Sequence, residues 1–356
     1  MFDGLIASGT SNSDMQSVIT ALGTLSTAQQ VSDAVRQTLP LMTGGGAMAT
    51  NNVLHSMNRI IQSRVENNRG LSSGDEFYGN RQIWLKPFGS HAKQQDRDAV
   101  AGFKLHTGGL ALGVDNVVND KVRVGGVLTY ADSDVTSNDP VAAQKTDVKT
   151  IELVGYASYN LDPTTDLNYQ IDVGRNTNQG HRNINFGALS RIADSDYDSL
   201  SAHISAGIGH LIGLDAATNV TPSLRLDYTH VKTDGYTETG AGALNLKVDS
   251  STYREMLVSG DVKLARELNS QLKLVSNVSL AYDLINKTAV SSSAFVGGGA
   301  VFVTNGLKPS PWLGRLGLGL VSATESGKEW TLRYDLEKRT SGFLGQTLSA
   351  RLRMPF

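Results

Sequence analysis

The chain has 356 residues, no cysteine and nearly balanced charge, with 32 Lys+Arg against 34 Asp+Glu. That balance excludes the basic stripe of a nucleic-acid-binding surface, and the lack of cysteine excludes a disulfide framework or a thiolate metal site. Mean hydropathy is -0.19 and no apolar run approaches ~18 residues, so a membrane-spanning helix is excluded, whereas a barrel that exposes alternate residues to lipid is not.

The first residues, MFDGLIASGT, carry neither a basic segment nor a long apolar run, so no signal peptide is expected in them. Met15, Val18, Ile19, Leu22 and Leu25 then recur at helical spacing, followed by Val31, Val35 and Leu39. Leu39-Pro40 ends this segment, and Gly44-Gly45-Gly46 reads as a flexible joint. A second helical stripe, Val53, Leu54, Met57, Ile60, Ile61 and Val65, predicts a helix over 51–68. Its other face is polar: Asn52, His55, Asn58, Arg59, Gln62, Arg64 and Glu66. A Gly/Ser/Asp-rich linker runs through 70–80. The chain therefore divides into a helical junction, 1–50, a helix with its linker, 51–80, and a strand-rich region, 81–356.

From residue 81 the period changes to two. Leu167, Tyr169, Ile171 and Val173 alternate with Asn168, Gln170 and Asp172. Leu224, Leu226 and Tyr228 alternate with Arg225, Asp227 and Thr229, and Met256, Val258, Val262 and Leu264 with Glu255, Ser259, Asp261 and Lys263. Trp330, Leu332, Tyr334 and Leu336 alternate with Thr331, Arg333, Asp335 and Glu337. Strands are expected near 82–91, 103–117, 121–134, 146–160, 165–181, 196–213, 218–232, 252–267, 271–286, 310–323, 329–340 and 345–356. Most exceed the usual five or six residues, as a membrane-crossing sheet requires. The first has no clean parity across Trp84-Leu85-Lys86-Pro87-Phe88.

Connections alternate in length. Short ones hold Asn119-Asp120, Asp162-Pro163, Ala216-Ala217, Asn269-Ser270 and Ser326-Gly327; longer ones cover 135–145, 182–195, 233–251 and 287–309. Such sorting fits a closed transmembrane barrel of about twelve antiparallel strands, with short periplasmic turns and long external loops. The last strand completes the pattern. Leu348, Ala350, Leu352, Met354 and Phe356 share one parity, and Arg351 and Arg353 the other.

On this reading Arg123, Arg225, Asp227, Asp261, Lys263, Arg333, Asp335, Glu337, Arg351 and Arg353 line the lumen, while Tyr130, Tyr169, Tyr228, Tyr282, Trp312, Trp330 and Tyr334 face lipid. A helix roughly 10–12 Å across fits a twelve-stranded lumen. The helix over 51–68 either threads that lumen, polar face against charged wall, or packs outside the barrel; its short linker to the first strand favours the lumen.

No catalytic constellation emerges. There is no Gly-x-Ser-x-Gly elbow. His203 and His210 share a strand and read as structural, one in the lumen and one near lipid or a turn. Asp194-Ser195-Asp196-Tyr197-Asp198 lacks the Gly and distal Glu of a calcium loop and reads as a solvated acidic external loop. No cofactor or metal is expected.

The region 51–356 resembles the translocator domain of the monomeric autotransporters, the type V secretion proteins. The resemblance rests on the helix before the strands and on Ile83-Trp84-Leu85-Lys86-Pro87-Phe88-Gly89. It rests also on Thr107-Gly108-Gly109-Leu110-Ala111-Leu112-Gly113-Val114-Asp115, on Val122-Arg123-Val124-Gly125-Gly126-Val127-Leu128-Thr129-Tyr130, and on the C-terminal strand ending in Phe356. It implies a monomeric outer-membrane barrel with a helix in its pore, in contact with outer-membrane lipid and lipopolysaccharide. It also implies export and display of an N-terminal passenger, and insertion by the barrel assembly machinery, which would read Leu348, Leu352, Met354 and Phe356. Some members cut themselves between two asparagines of the pore helix, for which Asn51-Asn52 and Asn67-Asn68 are candidates, capping of the helix ends being the alternative role. The rival readings are a small-solute channel with the same barrel and a soluble β-rich binding protein.

Overall fold

The computed structural model describes residues 9–40, 43–65, 81–98, 100–324 and 328–355, with the backbone alone for residues 60, 62–65 and 355. The expectations for Glu66, Asn67, Asn68, the 70–80 linker, Ser326-Gly327 and Phe356, and for the side chains of Gln62 and Arg64, lie outside the described residues.

Period-two alternation gives a sheet with two chemically different faces. Twelve long strands carry it: β1 (Arg81–Gln94), β2 (Phe103–Asn119), β3 (Val122–Ser137), β4 (Gln144–Asn160), β5 (Thr165–Phe186), β6 (Leu189–His210), β7 (Thr218–Thr233), β8 (Ser251–Asn269), β9 (Leu272–Asp283), β10 (Trp312–Ala323), β11 (Glu329–Arg339) and β12 (Phe343–Pro355). Each pairs antiparallel with the next. β12 pairs with β1, Thr347 opposite Ser90 and Arg353 opposite Trp84, so the sheet closes and leaves no edge. Among the described residues no helix is long and apolar enough to cross a membrane, which says nothing of a barrel.

β12 fixes which parity faces which way. Leu348, Leu352 and Met354 are 54%, 41% and 40% exposed on the outer surface, and Arg351 and Arg353 are buried inside. Four of the short turns are closed by an Asx side chain. Asn119 Oδ1 accepts the amides of Lys121 and Val122, and Asn269 Oδ1 those of Gln271 and Leu272. Asp162 accepts those of Thr164 and Thr165, and these bonds hold its carboxyl well below the usual range. The turn expected at Ala216-Ala217 is set by Asp215, which accepts the Ala217 amide.

The opposite end departs from expectation in three ways. Residues 182–195 are not a loop: β5 and β6 run on to a tight turn at Gly187 (φ 58°), and Asp194, Asp196 and Asp198 sit on the outer face of a strand. The reason is that Ile184 and Phe186 continue the alternation and are buried under the N-terminal helices. The segments 233–251 and 287–309 are not plain loops either. They contribute Tyr236–Thr237, Leu246–Val248, Val290–Phe295 and Phe302–Asn305 to a small four-stranded sheet. Finally, β11 and β12 are joined at this end by a short turn through Gly342 (φ 86°), so loop length is sorted incompletely.

Helices α1 (Ser13–Gly23) and α2 (Ala28–Gln37) form a cap on this end. Asn12 caps α1 through the Met15 amide, and Thr27 with Gln30 makes a capping box on α2. Met15, Val18, Leu22 and Ala34 join Ile184, Phe186, Leu244, Leu246 and Phe295 in one apolar core. Asp14 binds Arg191 through both oxygens (2.6 and 2.8 Å) and the Ala243 amide (2.6 Å), and Arg182 reaches Glu238 and the Gln37 carbonyl.

The irregular first strand has a structural reason. Trp84, Lys86 and Phe88 all point inward. A Cβ on Gly113 would lie 2.1 Å from the Trp84 ring, one on Gly109 2.2 Å from Phe88, and one on Gly125 2.2 Å from Tyr156. Inward glycines make room for inward aromatics.

Two outcomes follow. Gly113→Val should lower the folded-to-unfolded midpoint in a heat-modifiable gel-mobility assay, overpacking costing about 1–3 kcal/mol; adding Trp84→Ala should restore part of the loss, and no restoration would refute the steric account. Asp14→Ala should expose 9–40 to limited proteolysis. The Arg191 hydrogen bond lowers the Asp14 pKa, so this tie persists at neutral pH and is lost only as pH falls below the ordinary carboxylate range.

The plugged lumen as candidate functional site

The helix expected over 51–68 begins earlier: α3 spans Gly45–Val65. Gly45 and Gly46 are therefore helical rather than a joint, and Asn51-Asn52 lie inside the helix, where they cap neither end. Close approach bears on Gly46, where a Cβ would lie 3.1 Å from Asn178 Oδ1 of the wall.

α3 runs inside the barrel and presents two faces. Ala49, Val53, Met57 and Ile61, spaced by four, form the apolar one. They pack on Trp84, Phe88, Ala111, Val127, Ala131, Val154 and Tyr156 of β1 to β4, with Phe103, Leu105, Val135 and Val148 nearer the cap. One side of the lumen is thus an apolar wall, which was not singled out in the sequence, while the charged wall expected there meets the helix's polar face. The available signal was the small inward residues Gly109, Ala111, Gly113, Gly125 and Ala131, which leave space for rings from the adjoining strands.

The polar face meets β7, β8 and β11. His55 lies between two carboxylates, Nε2 2.7 Å from Glu255 and Nδ1 3.3 Å from Glu337. Only the doubly protonated ring can donate to both. Arg59 donates to Glu337 (2.9 Å) and to Thr347 (3.2 Å), while Arg315 also binds Glu337 (3.1 Å) and Arg339 binds Glu255. Asn51 donates to Glu255 at 3.1 Å. One turn on, Asn58 donates to Asp227 (2.5 Å) and accepts from Arg225 (2.6 Å). Asp227 is shared with His203 (3.2 Å), which binds Asp172 on its other side (2.5 Å). Across the lumen Ser90 donates to Asn52 (3.0 Å).

All ten wall residues expected in the lumen point inward. Arg225, Asp227 and Glu337 touch the helix directly. Arg123 pairs with Asp115 (2.9 Å), Arg333 with Asp335 (2.7 Å), Asp261 accepts from Asn277 (2.9 Å), Lys263 is buried, and Arg351 and Arg353 bind Glu329. Glu255, Arg315, Arg339, Asp172 and His203 complete the network; they share the same parity but were not singled out as site residues in the sequence. His210 is exposed beside Thr165 at the short-turn end. Among the described residues no group of three His, Asp or Glu side chains is placed to hold a metal ion, and Asp194, Asp196 and Asp198 engage His181, Gln179 and Arg175 instead.

A closed twelve-stranded barrel with a lipid-facing outer wall and a helix in its lumen is an outer-membrane barrel of the plugged, single-chain class. The model of the autotransporter beta-domain matches residues 83–335, and the chain belongs to that family. Outer membrane protein A of Rickettsia rickettsii is 24% identical over 345 residues, which are 93% of this chain and 15% of that protein. Outer membrane protein B of the same organism is 27% identical over 187 residues, 51% of this chain and 11% of the relative. The chain thus spans 15% or less of the length of these relatives. The translocator domain of the autotransporter NalP from Neisseria meningitidis superposes with a TM-score of 0.72 at 14% identity, covering 89% of this chain and 100% of that one. The beta domain of the Bordetella autotransporter BrkA gives 0.55 at 19% identity, covering 78% and 100%. At these identities the likeness is one of fold.

Replacing His55 by Leu removes the link to Glu255 and Glu337 while Arg339, Arg59 and Arg315 still neutralise both carboxylates. Charge-assisted bonds contribute about 1.5–3 kcal/mol each, so open-pore events in planar bilayers should become at least about tenfold more frequent. Unchanged opening would show that these contacts do not hold the plug.

Proposed function

We propose that this barrel exports an N-terminal passenger and holds it at the cell surface, with α3 as the segment left in the pore. The observation that carries this reading is the path of the chain. Residues 13–37 are docked at the long-loop end, α3 passes through the lumen, and β1 starts at the short-turn end, where Arg81 opposes Asn116. A chain laid across the membrane inside its own barrel is what translocation leaves behind. The polar contacts of Asn52, His55, Asn58 and Arg59 then retain the plug, a role that extends by sequence to Gln62, Arg64 and Glu66.

The work is transport and anchoring, and the lumen charges act by binding and positioning rather than by catalysis. The partners are outer-membrane lipid and lipopolysaccharide, the chain's own passenger, and the barrel assembly machinery, for which Leu348, Leu352, Met354 and Phe356 form the address. The barrel works as a monomer and needs no cofactor. A small-solute channel would need an open lumen, and the described lumen holds a helix.

An epitope fused ahead of residue 9 should become accessible to external protease in whole cells; an epitope that stays protected while the barrel is folded refutes export. Deleting 45–65 should raise single-channel conductance several-fold, and an unchanged value would show that α3 does not block the pore. Phe356→Asp should reduce the heat-modifiable, membrane-inserted fraction, and normal insertion would count against the address.

Self-cleavage at Asn51-Asn52 is a second reading, favoured by one contact. The Asn51 side-chain amide is held by Glu255, and attack of its nitrogen on its own carbonyl carbon would break the bond to Asn52 and leave a succinimide. Intact-mass measurement of the folded chain should then show a new N-terminus at Asn52 that disappears in Asn51→Ser; a single full-length mass refutes it.

A further inference from the structure

The outer face of β5 to β8 carries a groove just above the lipid-facing aliphatic rows, towards the long-loop end. The strand register places its residues in two levels. Arg175 opposes Leu200, which opposes Lys232; one step nearer the membrane centre, Val173 opposes Ala202, Ala202 opposes His230, and His230 opposes Arg254. The groove is lined by Val173, Arg175, Leu200, Ala202, His230 and Lys232. A recess forms because Ala202 is small while the flanking side chains are long. Below it Ile171, Ile204, Tyr228 and Met256 continue the hydrocarbon-facing surface.

The charges here are unbalanced. Arg175 is neutralised by Asp198 at 2.6 Å. On neighbouring strands at similar height Lys145 sits between Asp134 and Asp147 (2.7 and 2.9 Å), and His181 binds Asp194 (2.6 Å). Lys232 and Arg254 make no ion pair among the described residues, although they border a surface that faces lipid. Cations on the lipid-facing side of a barrel destabilise it unless they reach the interface or meet an anion. Their position sets the anion's chemistry: it must lie at headgroup level and carry hydrocarbon directly beneath.

We propose that this groove binds a phosphorylated, multi-acyl lipid of the outer leaflet, of lipid A chemistry. Its phosphate lies between Lys232 and Arg254, His230 contributes a hydrogen bond, and an acyl chain runs over Ala202, Leu200 and Val173. The site is on the outer wall, away from the lumen; it rests on the proposed contact with lipopolysaccharide and gives that contact a place, whether or not the barrel exports a passenger.

The test uses the full chain in phosphatidylcholine nanodiscs doped with bisphosphorylated lipid A or with its phosphate-free counterpart, with retained lipid counted by native mass spectrometry. Lys232→Gln/Arg254→Gln is compared with Lys121→Gln/Arg266→Gln at the short-turn end, and heat-modifiable mobility confirms that both variants are folded. The expected result is selective retention of the phosphorylated lipid, weakened on the order of tenfold by the first pair of changes and not by the second. Equal retention of the phosphate-free lipid, unchanged retention in Lys232→Gln/Arg254→Gln, or displacement by millimolar inorganic phosphate would overturn the proposal.

Discussion

A helix enclosed by a barrel has no solvent towards which it can turn its polar side chains, so every group on it needs a matching wall. This constraint organises the molecule. The i, i+4 stripe of Ala49, Val53, Met57 and Ile61 demands an apolar wall, and β1 to β4 supply it with Trp84, Phe88 and Tyr156. His55, Asn58 and Arg59 demand acceptors, and β7, β8 and β11 supply Glu255, Asp227 and Glu337. Those carboxylates in turn need the wall arginines 225, 315 and 339. Because Glu255 and Glu337 each have more than one cationic partner, losing one loosens the helix without leaving a carboxylate unneutralised, whereas losing all of them would leave a buried charge uncompensated.

The same constraint explains what was legible in the sequence. Strand parity and the closing strand could be read because lipid imposes a rule on every second residue. Arg123, Arg225, Asp227 and Glu337 were placed in the lumen for that reason alone. The apolar wall escaped notice because its evidence is distributed: a ring on β1 fits a glycine on β2, and neither residue signals the other. Trp84 next to Leu85 therefore read as a broken pattern, when Trp84 was simply inward. The pairing of His55 with Glu255 and Glu337 escaped for a related reason, since about 200 and 282 residues separate the partners and only barrel curvature brings them together.

Legibility also differed between the two ends. At the short-turn end a single Asx side chain closes each of four connections, so local chemistry decides there, and Asp215 shows how a one-residue offset hides the signal. At the other end the decisive contacts are tertiary. Ile184 and Phe186 are strand residues because α1 covers them, and Leu246 is a strand residue because Phe295 lies opposite. These stretches fall between the expected strands and so read as loops in the sequence, and burial under the cap makes them strands instead.

The pairing of β1 with β12 has a consequence for the order of events. The seam joins Gln82 to Pro355, partners that stand at opposite ends of the strand-rich region. Contacts of such sequence separation carry the largest loop-closure cost and form late. Until then the sheet has two unpaired edges, β1 and β12. Once the seam zips, α3 is ringed by wall on all sides, and its His55 and Arg59 contacts to β8, β11 and β12 can be exchanged only along the barrel axis. The last strand made is therefore also the one that locks the helix in place.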